Sequence, residues 1–321
     1  MSASRSVPDD DPPRGGLPTP GFPPDRNGAG RPPGRRARPL DDPLTTYYGA
    51  LAPWLDLALA ERGDLEWWEN RVEELDARRI VELGCGTGRV TVVLGGEGRY
   101  VVGLDRVSAL LSRARERLGG RAGVHVVRAD LRAPPLGPGW DLVAAPNDPL
   151  IHLEGGRDRQ RALNAAGELL SADGRLVLDL LWWTPGEVEQ ARSPEGLRRT
   201  RTVASTKDGP LVVEERWTEA ARPRAVRAWY RYLPPRGEPV TASFRGRRWT
   251  PAELRRRLER AGMEIVRLRG GYDDRPFDPT DARTLLVEAR RRGAEGGGMR
   301  PGNPGRRGET ADGRTHRRRT T

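Results

Sequence analysis

Between residues 79 and 183 the chain alternates short, continuously apolar runs with longer stretches in which apolar side chains recur every three or four positions. The runs span 79–83, 101–105, 124–127, 140–145 and 176–183. Hydrophobicity without alternation is what a parallel strand covered on both faces requires, so these segments predict parallel strands. Residues 107–118 carry apolar side chains at 107, 110, 111, 114 and 118, the helical period, and a second helix is predicted from about 157 to 170. A turn at 171–175 should separate that helix from the fifth strand. Strands and helices in strict alternation specify a doubly wound α/β sheet.

Beyond residue 183 the period falls to two, with strands predicted at 199–206, 211–218, 225–233 and 240–244. Lys207-Asp208-Gly209 supplies a hairpin turn. Val226, Ala228, Tyr230 and Tyr232 form one face bearing two phenols, and Tyr230, Tyr232 and Trp229 are candidates to shape a pocket, although cross-strand packing would select the same residues. A helix then begins at Thr250-Pro251, where threonine can cap and proline can take the first turn. Strands at 263–268 and 283–289 complete the pattern.

The first strand runs directly into Glu82-Leu83-Gly84-Cys85-Gly86-Thr87-Gly88, and Asp105 ends the second strand. Glycines at alternate positions admit positive φ and remove the Cβ atoms that would hold a ligand off the backbone. The G-x-G-x-G spacing differs from the G-x-G-x-x-G that nicotinamide enzymes favour, where a helix N-terminus receives a pyrophosphate. This motif closely resembles the first motif of class I methyltransferases that use S-adenosylmethionine. The likeness extends through Ala129-Asp130-Leu131, the Asn147-Asp148-Pro149-Leu150-Ile151-His152-Leu153 segment, which resembles the N-S/D-x-x-H-L run of small-molecule methyltransferases, and the Thr250-Pro251…Ala261-Gly262-Met263 passage.

The resemblance implies a Rossmann-like, mostly parallel seven-stranded sheet with an antiparallel β insertion at 198–247. It also implies a cofactor set of Glu82, Gly84, Cys85, Gly86 and Gly88 on the turn, Asp105 and Arg106 after the second strand, and Asp130 and Leu131 after the third. Asn147 and Tyr48 complete it, the latter from an N-terminal segment that family members fold over the cofactor. His152 is the first candidate to accept an amine proton, with Asn147 and Asp148 orienting the acceptor. A packed or capping histidine is an equal alternative. The insertion would roof the acceptor pocket or form a dimer contact, so a homodimer is one expectation. The [N/D]-P-P-[Y/F/W] tetrad of nucleic-acid amino-methyltransferases is missing, because Asp148-Pro149-Leu150 follows Asn147.

Composition divides the chain. Residues 1–43 hold 11 prolines and 6 glycines with almost no large apolar side chains, too little to offset the entropy of ordering, and are expected to be a disordered arm. Residues 290–321 carry ten arginines against three acids. A disordered basic tail is therefore expected at 291–321, and the catalytic domain at 44–290. The formal charge is +11, yet most of it lies in that tail. The tail could bind polyanions, or, with Lys207 the only lysine, reflect coding bias alone. One cysteine excludes an internal disulfide and a cysteine-based zinc site, and His125, His152 and His316 lack metal-ligand spacing. No signal-peptide core or membrane span is read, so the expectation is a soluble, cytoplasmic protein without membrane or metal partners.

These readings converge on methyl transfer from S-adenosylmethionine to nitrogen or oxygen of a small-molecule acceptor. The alternatives are an RNA or protein methyltransferase that uses the Arg-rich tail for binding, and a non-catalytic partner subunit of the same fold.

Overall fold

The computed structural model describes residues 43–293, except 61, 207, 221 and 223. The arm and tail expected at 1–43 and 291–321 lie outside the described residues but for their inner ends, as does Lys207 of the expected hairpin turn.

The chain opens with helices α1 (Pro43–Leu51), α2 (Leu55–Ala58) and α3 (Leu65–Glu74). It then lays down β1 (Arg79–Leu83), β2 (Tyr100–Asp105), β3 (Val124–Arg128) and β4 (Trp140–Ala145), with α4 (Thr91–Leu94) and α5 (Ser108–Leu118) between them. A 3-10 turn (Pro149–His152), α6 (Gly156–Leu169) and β5 (Leu170–Leu180) follow. After α7 (Pro185–Arg192) come β6 (Leu197–Thr206), β7 (Gly209–Glu219), β8 (Ala225–Leu233) and β9 (Val240–Arg247). The last elements are α8 (Pro251–Arg260), β10 (Met263–Arg269) and β11 (Leu285–Arg291).

The main sheet has the order β10-β11-β5-β4-β1-β2-β3, with β11 antiparallel to both of its neighbours. Successive residues of β1 feed opposite cores, as the pleat demands. Ile80 packs with Trp68, Val72 and Leu94 on the face covered by α3 and α4, while Val81 and Leu83 pack with Leu163, Leu254 and Leu258 on the face covered by α6 and α8. Continuous apolar strands between two helical layers are the arrangement the sequence pattern predicted.

Two local details shape the sheet and its connections. The helix after the glycine turn is a single turn, because Gly95-Gly96 follow Leu94 and glycine disfavours continuation. The turn expected at 171–175 is absorbed into β5 as an irregularity: Leu170 pairs with Trp140 and Arg175 with Leu142, so the intervening residues bulge out of the ladder. β5 ends at Leu180, so Trp182 and Trp183, expected within the fifth strand, lie beyond it.

The insertion forms its own antiparallel sheet, β6-β7-β8-β9. Arg159 of α6, fully buried, fastens it to the main sheet. Its guanidinium donates to the carbonyls of Leu153 (2.7 Å) and Arg247 and lies 3.9 Å from the ring centroid of Trp249. A Cβ on Gly246 would come within 2.8 Å of the Ile151 carbonyl, so only glycine lets β9 cross this closely over the 3-10 turn. The insertion is thereby placed above the carboxyl ends of the parallel strands, where open α/β sheets bind ligands.

Candidate active site

The turn after β1 has Gly84, Gly86 and Gly88 at φ of 72°, 56° and 77°. Their surroundings differ. A Cβ on Gly84 would strike Pro149 at 2.4 Å, and one on Gly88 would press on Ala114 at 3.2 Å, whereas one on Gly86 would meet nothing within 4 Å. Gly84 and Gly88 thus allow the turn to pack, and Gly86 leaves an open backbone surface on which ligand atoms can rest. Gly88 does not line the cleft; its part, unlike that expected of it, is packing against α5.

Asp105 closes β2 with its carboxylate turned back to the glycine loop, accepting from the amides of Gly86 (2.9 Å) and Val107 (2.8 Å). Burial raises its pKa against the pull of those amides. A carboxylate has about four acceptor positions, so capacity remains for a ligand hydroxyl. Glu82 is buried beneath the turn and accepts from Thr91 Oγ1 at 2.5 Å; desolvation lifts its carboxyl to about 8. Cys85 is buried, and burial pushes its thiol up. Asp130, after β3, is chelated by Arg132, whose hydrogen bonds hold the carboxyl low, and it faces a ligand as half of an ion pair.

β4 ends in two consecutive left-handed residues, Asn147 (φ 56°) and Asp148 (φ 48°). The conformation is fixed from β5: Asp179 Oδ2 accepts from the Asn147 amide at 2.9 Å, and the Asp179 carbonyl accepts from the Asp148 amide at 2.7 Å. Asp148 is 4% exposed; Oδ2 accepts from the Leu181 amide at 3.1 Å, and Oδ1 is buried without a hydrogen-bond partner. Burial raises its carboxyl to about 7. His152 ends the 3-10 turn with Nε2 2.7 Å from Tyr48 Oη, which joins α1 to the strand ends.

A cleft of about 530 Å³ runs from the glycine turn to the underside of the insertion. Along its wall lie Glu82, Gly84, Cys85, Gly86, Asp105, Arg106, Asp130, Leu131, Asn147, Asp148, His152 and Tyr48. Its far end is an aromatic chamber of Tyr47, Trp217, Tyr230, Tyr232 and Phe244, with a buried Glu215 that accepts from Arg201 (2.6 Å) and Trp217 Nε1 (3.1 Å). Tyr47 stacks edge-on against Phe244 at 5.1 Å. Trp229 points to the other face of the insertion, under Arg216 and Arg227, and takes no part in the chamber.

Sequence reading missed Asp179, which accepts from Arg62 (2.8 Å), Tyr272 (2.9 Å) and Thr284 (2.7 Å) besides the Asn147 amide. The signal was there: one acid in the otherwise apolar run 176–183. It also missed Glu215, Trp217 and Phe244, whose alternation shows a buried face but not what the face covers. Among the described residues no cluster of His, Cys, Asp or Glu could hold a metal ion, and no helix is long and apolar enough to cross a membrane.

The strand order, the glycine turn open at Gly86 and the acids at the ends of β2 and β3 define a class I methyltransferase fold with a cradle suited to S-adenosylmethionine. Comparison with known proteins agrees. A methyltransferase-domain family matches residues 80–174. The cypemycin N-terminal methyltransferase of a Streptomyces species is 24% identical over 221 residues, covering 68% of this chain and 86% of its own. The CcbJ methyltransferase of Streptomyces caelestis superposes with a TM-score of 0.60 at 26% identity, over 71% of this chain and 95% of its own. CalS10 of Micromonospora echinaspora, an amino pentose methyltransferase solved with S-adenosylmethionine bound, shares the fold at a TM-score of 0.57 and 24% identity, over 71% and 91% of the two chains. The chain carries a methyltransferase domain and resembles class I S-adenosylmethionine-dependent methyltransferases in sequence and fold.

Proposed function

We propose that the enzyme methylates an amine nitrogen of a small acceptor seated under the inserted sheet. The supporting observation is the place of Asp148, a carboxyl sealed from water where the glycine-turn end of the cleft meets the aromatic chamber, with Oδ1 uncommitted. With its pKa lifted to about 7 it is partly ionised near neutrality, and it can take the proton an ammonium must lose before its lone pair attacks.

When bound, S-adenosylmethionine supplies an electrophilic methyl on a sulfonium sulfur and leaves as the neutral thioether. The open backbone surface at Gly86 and the Asp105 carboxylate would hold the cofactor's amino-acid and ribose portions, and Asp130 and Leu131 would meet its adenine. Asn147, fixed by Asp179, orients the acceptor beside Asp148. His152 and Tyr48 close the site across α1 and exclude water, which keeps the attacking nitrogen aligned. The faces of Tyr47, Tyr230 and Phe244 suit a cation before deprotonation and a methylammonium after transfer. We also read the enzyme as cytoplasmic, with its sole cysteine reduced, and the alternative of RNA or protein acceptors rests only on the arginines of residues outside the described ones.

The test is incubation with methyl-labelled S-adenosylmethionine and matched pairs of small amino alcohols and their parent alcohols. Label on nitrogen, lost in Asp148→Asn, is the expected result. Label on oxygen alone, or on added RNA or protein but no small amine, would overturn the reading.

A further inference from the structure

A second cavity, of about 460 Å³, adjoins the main cleft and shares Arg62, Asn147, Asp148 and Leu181 with it. It therefore reaches the reaction centre from the side of the β10–β11 connection, which contributes Tyr272 and Arg283 to its wall. Most charges there are already matched. Arg62 donates to Asp179 and Tyr272 and lies 3.5 Å from Asp64, and Asp273 is chelated by Arg275. Two groups are not matched. At the inner end Asp148 Oδ1 is buried with no hydrogen-bond partner, and at the mouth Arg283 is exposed and forms no ion pair with the described residues.

The base of Arg283 is fixed. Its amide donates to the Gly270 carbonyl at 2.8 Å, and the next residue, Thr284, donates to Asp179 Oδ1 at 2.7 Å. A cation on a pinned backbone at the mouth, and a hydrogen-bond acceptor at the floor, match a ligand with opposite polarity at its two ends. We propose that this cavity is the subsite for the distal part of the acceptor, and that the acceptor carries an anionic group, a carboxylate or a phosphate, which Arg283 binds while the amine lies at Asp148. This rests on the amine-methyltransferase reading of the site and narrows it to amines that also bear negative charge.

The full chain, saturated with S-adenosylhomocysteine, is titrated calorimetrically with O-phosphoethanolamine, β-alanine and ethanolamine. At least one anionic probe should bind roughly tenfold more tightly than ethanolamine, as a charge-assisted guanidinium contact provides, and which one does so distinguishes phosphate from carboxylate. Arg283→Ala should reduce that preference to about twofold or less. Arg255→Ala, on the exposed side of α8 and lining neither cavity, should keep it. Equal binding of all three probes by the wild type, or a preference undiminished in Arg283→Ala, would overturn the subsite. Thermal stabilisation by S-adenosylhomocysteine is followed in parallel, and its absence would count against the methyltransferase reading instead.

Discussion

The two ends of the cleft are built in different ways. The glycine-turn end is made mostly of backbone: the open surface at Gly86, the amides that hold Asp105, and the strand ends that present Asp130 and Leu131. All of it comes from one stretch of about fifty residues in two βαβ units. The far end, where we propose the acceptor binds, is made of side chains from α1, the 3-10 turn, β7, β8 and β9, brought together only when the inserted sheet docks. A backbone surface tolerates wide sequence change provided the φ values survive, so it suits a constant cofactor. A side-chain chamber changes with every substitution and suits a site whose ligand specificity is set residue by residue.

The sharpest way to break this contrast is at the joint. Asp148→Asn should lower kcat by about 10²–10⁴, the usual worth of a positioned base, while thermal stabilisation by S-adenosylhomocysteine persists. In the wild type, kcat/KM should fall as pH drops below about 7, where Asp148 takes up its proton, and that limb should vanish in the variant. Loss of cofactor binding in Asp148→Asn would mean the two ends are not separable.

Within the glycine turn, Gly84→Ala should cost about 3 kcal/mol or more in chemical denaturation, since its Cβ would lie 2.4 Å from Pro149. Gly86→Ala should cost only about 1–2 kcal/mol, the left-handed backbone penalty, yet abolish the shift with S-adenosylhomocysteine. If Gly86→Ala binds the ligand normally, the open surface is not the cradle.

Glu82 sharpens the same end by pH. Its pKa is raised from 4.5 to about 8 by burial, so the folded state holds the proton more tightly than the unfolded chain. The stability it contributes is complete below about pH 4.5 and is lost as pH rises through about 8. Glu82→Gln should flatten that decline in urea melts taken from pH 5 to pH 9, and an unchanged slope would remove Glu82 as its source.

Smaller effects are expected at the acceptor end and beyond it. Glu215→Gln weakens the link to Arg201 and should raise the acceptor KM by about tenfold with cofactor binding unchanged, as for one charge-assisted hydrogen bond. Ending the chain after residue 293 should leave small-molecule turnover within about twofold, since every element of both cavities precedes that point. A severe loss there would revive the RNA or protein alternative.

Legibility in the sequence followed the same division. The parallel strands were readable because continuous apolar runs have no other economical use, and the glycine turn and strand-end acids because they are local demands on φ and charge. Asp148 and His152 both line the cleft after β4, and it is the fold that buries one Asp148 oxygen without a hydrogen-bond partner and sets His152 Nε2 against Tyr48. Trp229 and Tyr230 are neighbours in the chain and fall on opposite faces of β8, so the alternation of the strand, not aromatic character, decides which enters the chamber.

From the chain alone came the doubly wound order, the glycine turn and the acids at the ends of the second and third strands, since each depends on spacing within a few dozen residues. The tertiary structure decided the rest: the docking of the insertion through Arg159 and Gly246, the four hydrogen bonds gathered by Asp179, and the second cavity ending at Arg283. Those features join segments roughly a hundred residues apart. Packing between distant faces is what sets them, and no local period or propensity carries that information.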